Sequence, residues 1–391
     1  MLSLHSFKEK THFFSMIFWT LSIFIYYFQF PFNKLSTFLI PSFSIFLLFE
    51  FTNFYVIKDK KFYILYFIYT LYLMIMFVFS FVNGVSLYRI VRFFLILSII
   101  PACFFVRDKY FDKNKEIFIW LSISKSILLI AFALYLLIKG DHTFIRGLVN
   151  SLNMGDIYLT ASGIPKVQVQ GNALLLIAFM IEFLDNKGHF NIKNIILLFG
   201  VISAGNFAFI LGLFLFFVYI LVINLIKNIK VDKNKIIIIV VSIFCILFLM
   251  SPYIKGKLES KVESNNIKVD QALILLDGNI IFGEGLGNPI KAQTENVIYD
   301  GNIYFELQTL YIINQIGIIG ISLFYIITIW QIKKDSKKKL IIYMIYLFYT
   351  FFNPYCFDIT QMISIVCITN MIQRENINDY CNYYNLLSKY K

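Results

Sequence analysis

"NIILLFGVISAGNFAFILGLFLFFVYILVINLI", residues 194–226, is an uncharged run of 33 residues broken by Gly200, Ala204, Gly205 and Asn206. A transmembrane helix takes about 20 mainly apolar residues, so the run is long for one span and short for two. The choice fixes the orientation of everything after it. As one span, it sends the loops "IKNIKVDKNK" (226–235) and "QIKKDSKKK" (331–339), with four and five lysines, to the outside. As a short helical hairpin turning near Gly205-Asn206, it returns both to the cytoplasm, where the positive-inside rule wants them.

The same rule is met upstream if Lys8 and Lys10 keep the N-terminus inside. The basic connections at 57–61, 107–116 and 185–193 then lie on that side too, and 23 of the 35 basic residues are cytoplasmic. With 59% hydrophobic residues, 45 Phe and 25 Tyr, 391 residues carry more apolar surface than a water-soluble core hides. Further apolar stretches fall near 13–30, 37–56, 62–82, 90–106, 117–138, 168–184, 236–252, 307–330, 340–353 and 356–373. The expected fold is therefore an all-α polytopic membrane protein with about 12 transmembrane segments. It forms a single membrane domain over 1–391, with both termini cytoplasmic and two long outer loops, 139–167 and 253–306.

Several classes drop out. The net charge of +12 is spread over short loops on one side, which is a topology signal and not a nucleic-acid surface. The first segment is long, and "FQFPFNKLS" after it offers no small-residue cleavage site, so it reads as an uncleaved first span. Five cysteines without a CxxC pair make no disulfide framework. Of four histidines only His142 falls in an outer loop, so no metal site and no cofactor are expected.

Chemistry is sought where polar residues stand against the membrane. Arg89 and Arg92 in "SLYRIVRFFLIL" are one helical turn apart at the outer end of the fourth span. Their forked guanidiniums suit phosphate oxygens, with interfacial snorkelling as the alternative. Lys125, two turns into the fifth span, reads as a snorkelling residue. In the first outer loop Arg146 and Lys166 offer positive charge, and Gln168, Gln170 and Asn172 enter the sixth span; a solvated loop with a polar helix end is the other reading. In the second, "FGEGLGNP" lacks the context of a nucleotide loop, and its glycines suit a tight backbone path at the membrane surface. Glu306 and Gln308 stand where this loop becomes a span, in "YFELQTLYIINQIGIIG", with Gly317 and Gly320 suited to close helix packing. A carboxylate there can act as a base or orient a hydroxyl, or be an ordinary interfacial residue.

The order of "SLYRIVRF", "VQGNALLLIAFMIEF", "LLFGVISAGNFAFILGLFLFF", "IIFGEGLG", "ELQTLYIINQIGIIG" and "FFNPYCFD", over residues 85–360, resembles the Wzy-type O-antigen polymerases of the O-antigen ligase and polymerase superfamily. The chain departs from that pattern at Ala204-Gly205-Asn206, where many members carry an arginine. It departs again at Gly301, where ligases carry a histidine, and this second departure tilts the resemblance towards polymerase.

The resemblance implies a metal-independent glycosyltransferase at the periplasmic face of the bacterial inner membrane, serving O-antigen (lipopolysaccharide) or related surface polysaccharide synthesis. Its donor and acceptor are undecaprenyl-diphosphate-linked oligosaccharide repeat units, held among membrane lipid, with a chain-length regulator and a flippase as partners the family leaves room for. On that footing Arg89, Arg92 and Arg146 bind the diphosphate, and Glu306 and Arg146 are catalytic. Gln170, Asn172, Asp300, Asn302 and Gln308 contact the glycan. A surface-polymer ligase is the runner-up, and a lipid-linked oligosaccharide flippase a more distant rival.

Overall fold

The computed structural model describes residues 2–52, 60–106, 111–140, 142–152, 154–160, 163–227, 262–294, 298–302, 305–351 and 353–372. The expected segment 236–252 lies outside them. The long apolar runs are helices: α1 (Leu2–Phe28), α2 (Leu39–Thr52) after a 3-10 turn at Asn33–Phe38, α3 (Lys60–Val82), α4 (Leu87–Ala102) and α5 (Phe111–Lys139). Next come a short helix α6 (Thr143–Ser151), strands β1 (Gly155–Leu159) and β2 (Pro165–Val169), and helices α7 (Leu175–Asp185), α8 (Ile192–Ser203) and α9 (Phe207–Lys227). Then follow α10 (Val262–Leu276), β3 (Ile290–Gln293), β4 (Ile298–Asn302), α11 (Gln308–Asp335), α12 (Lys337–Phe351) and α13 (Ile359–Met371). Among the described residues six helices are long and apolar enough to cross a membrane, with shorter apolar ones beside them. The chain is a helical, membrane-embedded protein.

The run at 194–226 breaks at Ala204–Asn206, where Gly205 takes φ +64° and the Asn206 Oδ1 caps α9 by accepting from Ala208 N at 3.0 Å. The segment 168–184 differs from expectation. Its first residues close an antiparallel β1–β2 hairpin, and only Leu175–Asp185 is helical. Eleven residues rise about 16 Å, roughly half the hydrocarbon thickness. "GDIYL" and "PKVQV" alternate, burying Ile157, Val167 and Val169 on one face and leaving Asp156, Tyr158, Lys166 and Gln168 on the other. Lys125 does not snorkel: it is fully buried and donates to the Gln170 carbonyl at 2.9 Å, beneath this hairpin.

The feature that organises the connection before α11 is a break in that helix. At Gly317 the backbone leaves helical geometry (φ 65°, ψ 176°), and the segment Ile280–Asn288 threads into the gap as a strap. Ile318 N and Asn314 O would bond each other in an unbroken helix. Here Ile318 N donates to Ile280 O at 2.8 Å, and Asn314 O accepts from Glu284 N at 2.7 Å. The next pair is divided in the same way, with Ile319 N bonding Ile281 O at 3.3 Å and Gln315 O accepting from Gly285 N at 3.0 Å. The Tyr72 hydroxyl lies 2.8 Å from Ile316 O and 2.9 Å from Phe282 O, sharing its proton between them. Backbone crosses backbone here, so side chains must be absent. A Cβ on Gly317 falls 2.2 Å from Ile281 O, and one on Gly283 falls 2.5 Å from both Gln315 O and Gly317 N.

Contacts between connections sort into two ends. At one, Asn33 reaches Leu152 O at 2.7 Å, Asn206 Nδ2 reaches Asn353 Oδ1 at 2.9 Å, and Gly287 lies against Arg89. At the other, Lys115 pairs with Asp185 at 2.5 Å and Asn370 reaches Val106 O at 3.1 Å.

The crossing yields a prediction. Gly84 has φ +77° with open space around it, so Gly84→Ala carries only the left-handed backbone penalty, about 1–2 kcal/mol. Gly317→Ala and Gly283→Ala add a backbone collision of about 1–3 kcal/mol to that. Thermal unfolding of the detergent-purified protein is expected to show a clearly larger loss for the latter two; equal losses would mean the strap is not seated in α11.

Candidate functional site

Charged residues from two separated connections, Arg146, Asp156 and Lys166 from one and Lys268 and Glu306 from the other, meet at the N-terminal end of α11. Phe305 and Leu307 are buried, and Glu306 between them points outward, about half exposed. An aromatic stack holds this turn: ring centroids lie 5.3 Å apart for Tyr299–Phe305, 5.0 Å for Phe305–Tyr311 and 5.6 Å for Tyr311–Phe93. Each such pair contributes about 0.5–1.5 kcal/mol beyond burial, so the Glu306 backbone is fixed while its carboxylate is not. That carboxylate meets Lys268 of α10 at 3.3 Å. An exposed pair of this kind is worth about 0.2–1 kcal/mol, less than the roughly 1.5–3 kcal/mol of a hydrogen bond to a charged group. A competing hydrogen-bond donor can therefore displace Lys268.

The polar face of the β1–β2 hairpin completes the cluster. Arg146 makes a two-pronged bond to Asp156, with Nε 2.9 Å from Oδ1 and Nη2 3.1 Å from Oδ2, and stacks on Tyr158. Of its five N–H groups three lie outside that bond and can still address an anion. Lys166, directly opposite Tyr158 in the register, donates to its hydroxyl at 2.6 Å. Its stem crosses the α8–α9 break, where a Cβ on Gly205 falls 2.6 Å from Lys166 Cγ. Burial pushes the Lys166 ammonium below the usual lysine range, Asp156 and Glu306 work against this, and Lys268 and Arg146 add to it. Arg146, Asp156, Lys166, Lys268 and Glu306 thus share one electrostatic neighbourhood.

Arg89 and Arg92 form a second group. Both act on the Tyr311 hydroxyl, which donates to Asn288 O at 3.2 Å, and Arg92 is exposed. Gln308 opens α11, and its Oε1 is buried without a hydrogen-bond partner among the described residues. Asp300 is exposed on β4 opposite Lys291, and Asn302 ends that strand opposite Ile290. Gln170 and Asn172, expected at the start of a span, lie in the turn before α7 because the chain there finishes a strand. The Asn172 amide donates to Val167 O at 2.9 Å and is almost wholly buried, which makes it a brace of the hairpin.

Comparison of the chain with protein-family models, with curated proteins and with solved structures finds no match.

Sequence reasoning singled out Glu306 and Arg146 by residue type and place; the structure sets beside them Asp156, Tyr158 and Lys268, which that reasoning did not single out. The alternation of "GDIYL" was a signal for the first two; Lys268, in a polar stretch without periodic pattern, gave none.

The Lys166 environment is testable by competitive amine labelling. Because burial lowers its proton affinity, Lys166 is expected to be half-modified at a lower pH than exposed lysines, and Asp156→Asn should lower that pH further. The unfolded chain binds the extra proton, so the penalty from this group is full below its folded value and fades as pH rises through the ordinary lysine value of about 10.4. An ordinary labelling profile would contradict the arrangement.

Proposed function

We propose that this protein is a polymerase of undecaprenyl-diphosphate-linked oligosaccharide repeat units. It acts at the periplasmic face of a bacterial inner membrane and is built from about 12 membrane segments with both termini cytoplasmic. The observation that carries this reading is the convergence of Arg146, Lys166, Lys268 and Glu306 from separated loops onto one end of the bundle. The gathering of outer connections at that end supports the alternation of spans, and the resemblance supplies the reaction class.

The transfer has two requirements. A diphosphate must leave the anomeric carbon, and an acceptor hydroxyl must attack it. In the proposed step the acceptor oxygen bonds to the anomeric carbon, the bond from that carbon to the diphosphate oxygen breaks, and the hydroxyl proton passes to Glu306. The leaving diphosphate takes its charge stabilisation from the cations, which are preorganised by Asp156, Tyr158 and the α8–α9 break. Arg146 has unused donors for this, and Arg89 and Arg92 stand at the adjoining rim. Among the described residues Gln308 Oε1 is a buried acceptor without a donor, and a sugar hydroxyl would satisfy it.

Deleting the gene in its host and sizing the surface glycan on a gel tests the class: core bearing one repeat unit without the long ladder is expected. Bare core with long lipid-linked polymer would mean a ligase, and bare core with units trapped on the inner leaflet a flippase. In the complemented strain, Glu306→Gln should slow polymerisation by about 10²-fold or more, the usual scale of a lost proton acceptor, and Arg146→Ala should shorten the ladder. Unchanged length and yield for both at normal protein levels would remove these assignments.

A further inference from the structure

The end of α10, the strap and β3 line an open, solvent-facing cleft of about 360 Å³ that the proposed transfer does not use. Its walls differ in character. Ile274, Ile290 and Ala292 give an apolar side, while Asp277, Glu284 and Lys291 bring two carboxylates and an ammonium. A sugar ring has the same division, with C–H groups on its face and hydroxyls at its rim, and paired carboxylate oxygens accept from neighbouring hydroxyls. The volume falls at the small end of the roughly 300–1,000 Å³ range of ligand sites.

The cleft is held open by elements that are themselves fixed. Glu284 Oε1 accepts from Asn279 N at 2.6 Å, which orients the carboxylate and leaves its other oxygen outside that bond. Asn314, at the edge of the α11 break, lines the cleft while its Nδ2 donates to Leu275 O at 3.2 Å. Lys268, the partner of Glu306, and Leu276, beside the cleft, stand eight residues apart on α10, or about 12 Å along its axis. A short oligosaccharide bridges that distance; a single sugar does not.

We propose that this cleft is a saccharide subsite remote from the Glu306 cluster. It holds one sugar of a repeat unit while another lies at the reacting bond. The assignment rests on the polymerase reading and adds to it a requirement for length: a lipid-free oligosaccharide of two repeat units should bind better than one unit.

The test uses the full-length detergent-purified protein and isothermal titration with one-unit and two-unit oligosaccharides cut from the host's own surface polymer. Asp277→Ala, at an exposed position, and Ala292→Trp, which fills the cleft, are each expected to weaken two-unit binding at least tenfold. Lys337→Ala, exposed at the start of α12 near the Lys339–Asp335 pair, should leave it within about twofold. Size-exclusion profiles establish that each variant is folded, and Asp277→Ala keeps the test open if Ala292→Trp is not. Two-unit affinity unchanged in the folded variants would overturn the subsite, as would undetectable wild-type binding in a strain whose ladder depends on the gene. A ladder indifferent to gene deletion would instead sink the polymerase reading, so the two failures are distinct.

Discussion

The carbonyls of Asn314, Gln315 and Ile316 belong to buried residues at the break in α11 and cannot be left unbonded there, and this constraint shapes the end of the molecule around the strap. An unsatisfied backbone group in hydrocarbon costs several kcal/mol, whereas a made hydrogen bond returns only about 0.5–1.5 kcal/mol net. The strap is therefore worth most for the state it prevents. Once seated it organises its surroundings. Asn288 N donates to Gln315 Oε1 at 2.8 Å, the Gln315 amide returns to Asn288 O at 3.3 Å, and Gly287 packs on the Arg89 backbone. The break in α11 and the helix turn after Glu306 are thus joined by hydrogen bonds to Asn288, and the arginine-bearing start of α4 packs against them at Gly287.

Hydropathy made the long helices legible because one residue scale and one length suffice for them. It failed at 168–184, where β2, a turn and a short helix share the composition of a span but not its geometry. The glycines of "FGEGLGNP" were readable as a tight path: Gly285 packs on Ser80 and Gly287 on Arg89. What they passed through was not readable. Gly317 suggested close helix packing and is in fact a break, a distinction that depends on a segment some thirty residues away. Gly320 does meet another helix, at Tyr72.

The candidate site shows the same division between kind and partner. Residue type and proximity to a span singled out Glu306 and Arg146, but pairing is a property of register. Asp156 and Tyr158 share a strand face, and Lys166 stands opposite Tyr158, so the triad follows once the hairpin is recognised. Lys125 was misjudged for a related reason. A lysine within a span snorkels when water is its nearest acceptor, and here the carbonyl of Gln170 is nearer because the hairpin descends to meet it.

Charge pairs at the two ends of the bundle differ in a way that bears on function. Lys339 and Asp335 are paired at 2.5 Å with side chains 3% and 2% exposed, and Lys339 also reaches Thr369 O. Removing one partner of such a pair costs about 3–5 kcal/mol, so it cannot exchange partners. The pairs of Glu306 with Lys268 and of Arg146 with Asp156 are partly exposed and worth a fraction of that. Their backbones are rigid all the same: one is clamped by an aromatic stack, and the other stands on a short helix beside a braced hairpin. Weak pairing on a stiff frame suits charges that must release one partner to take another without moving far.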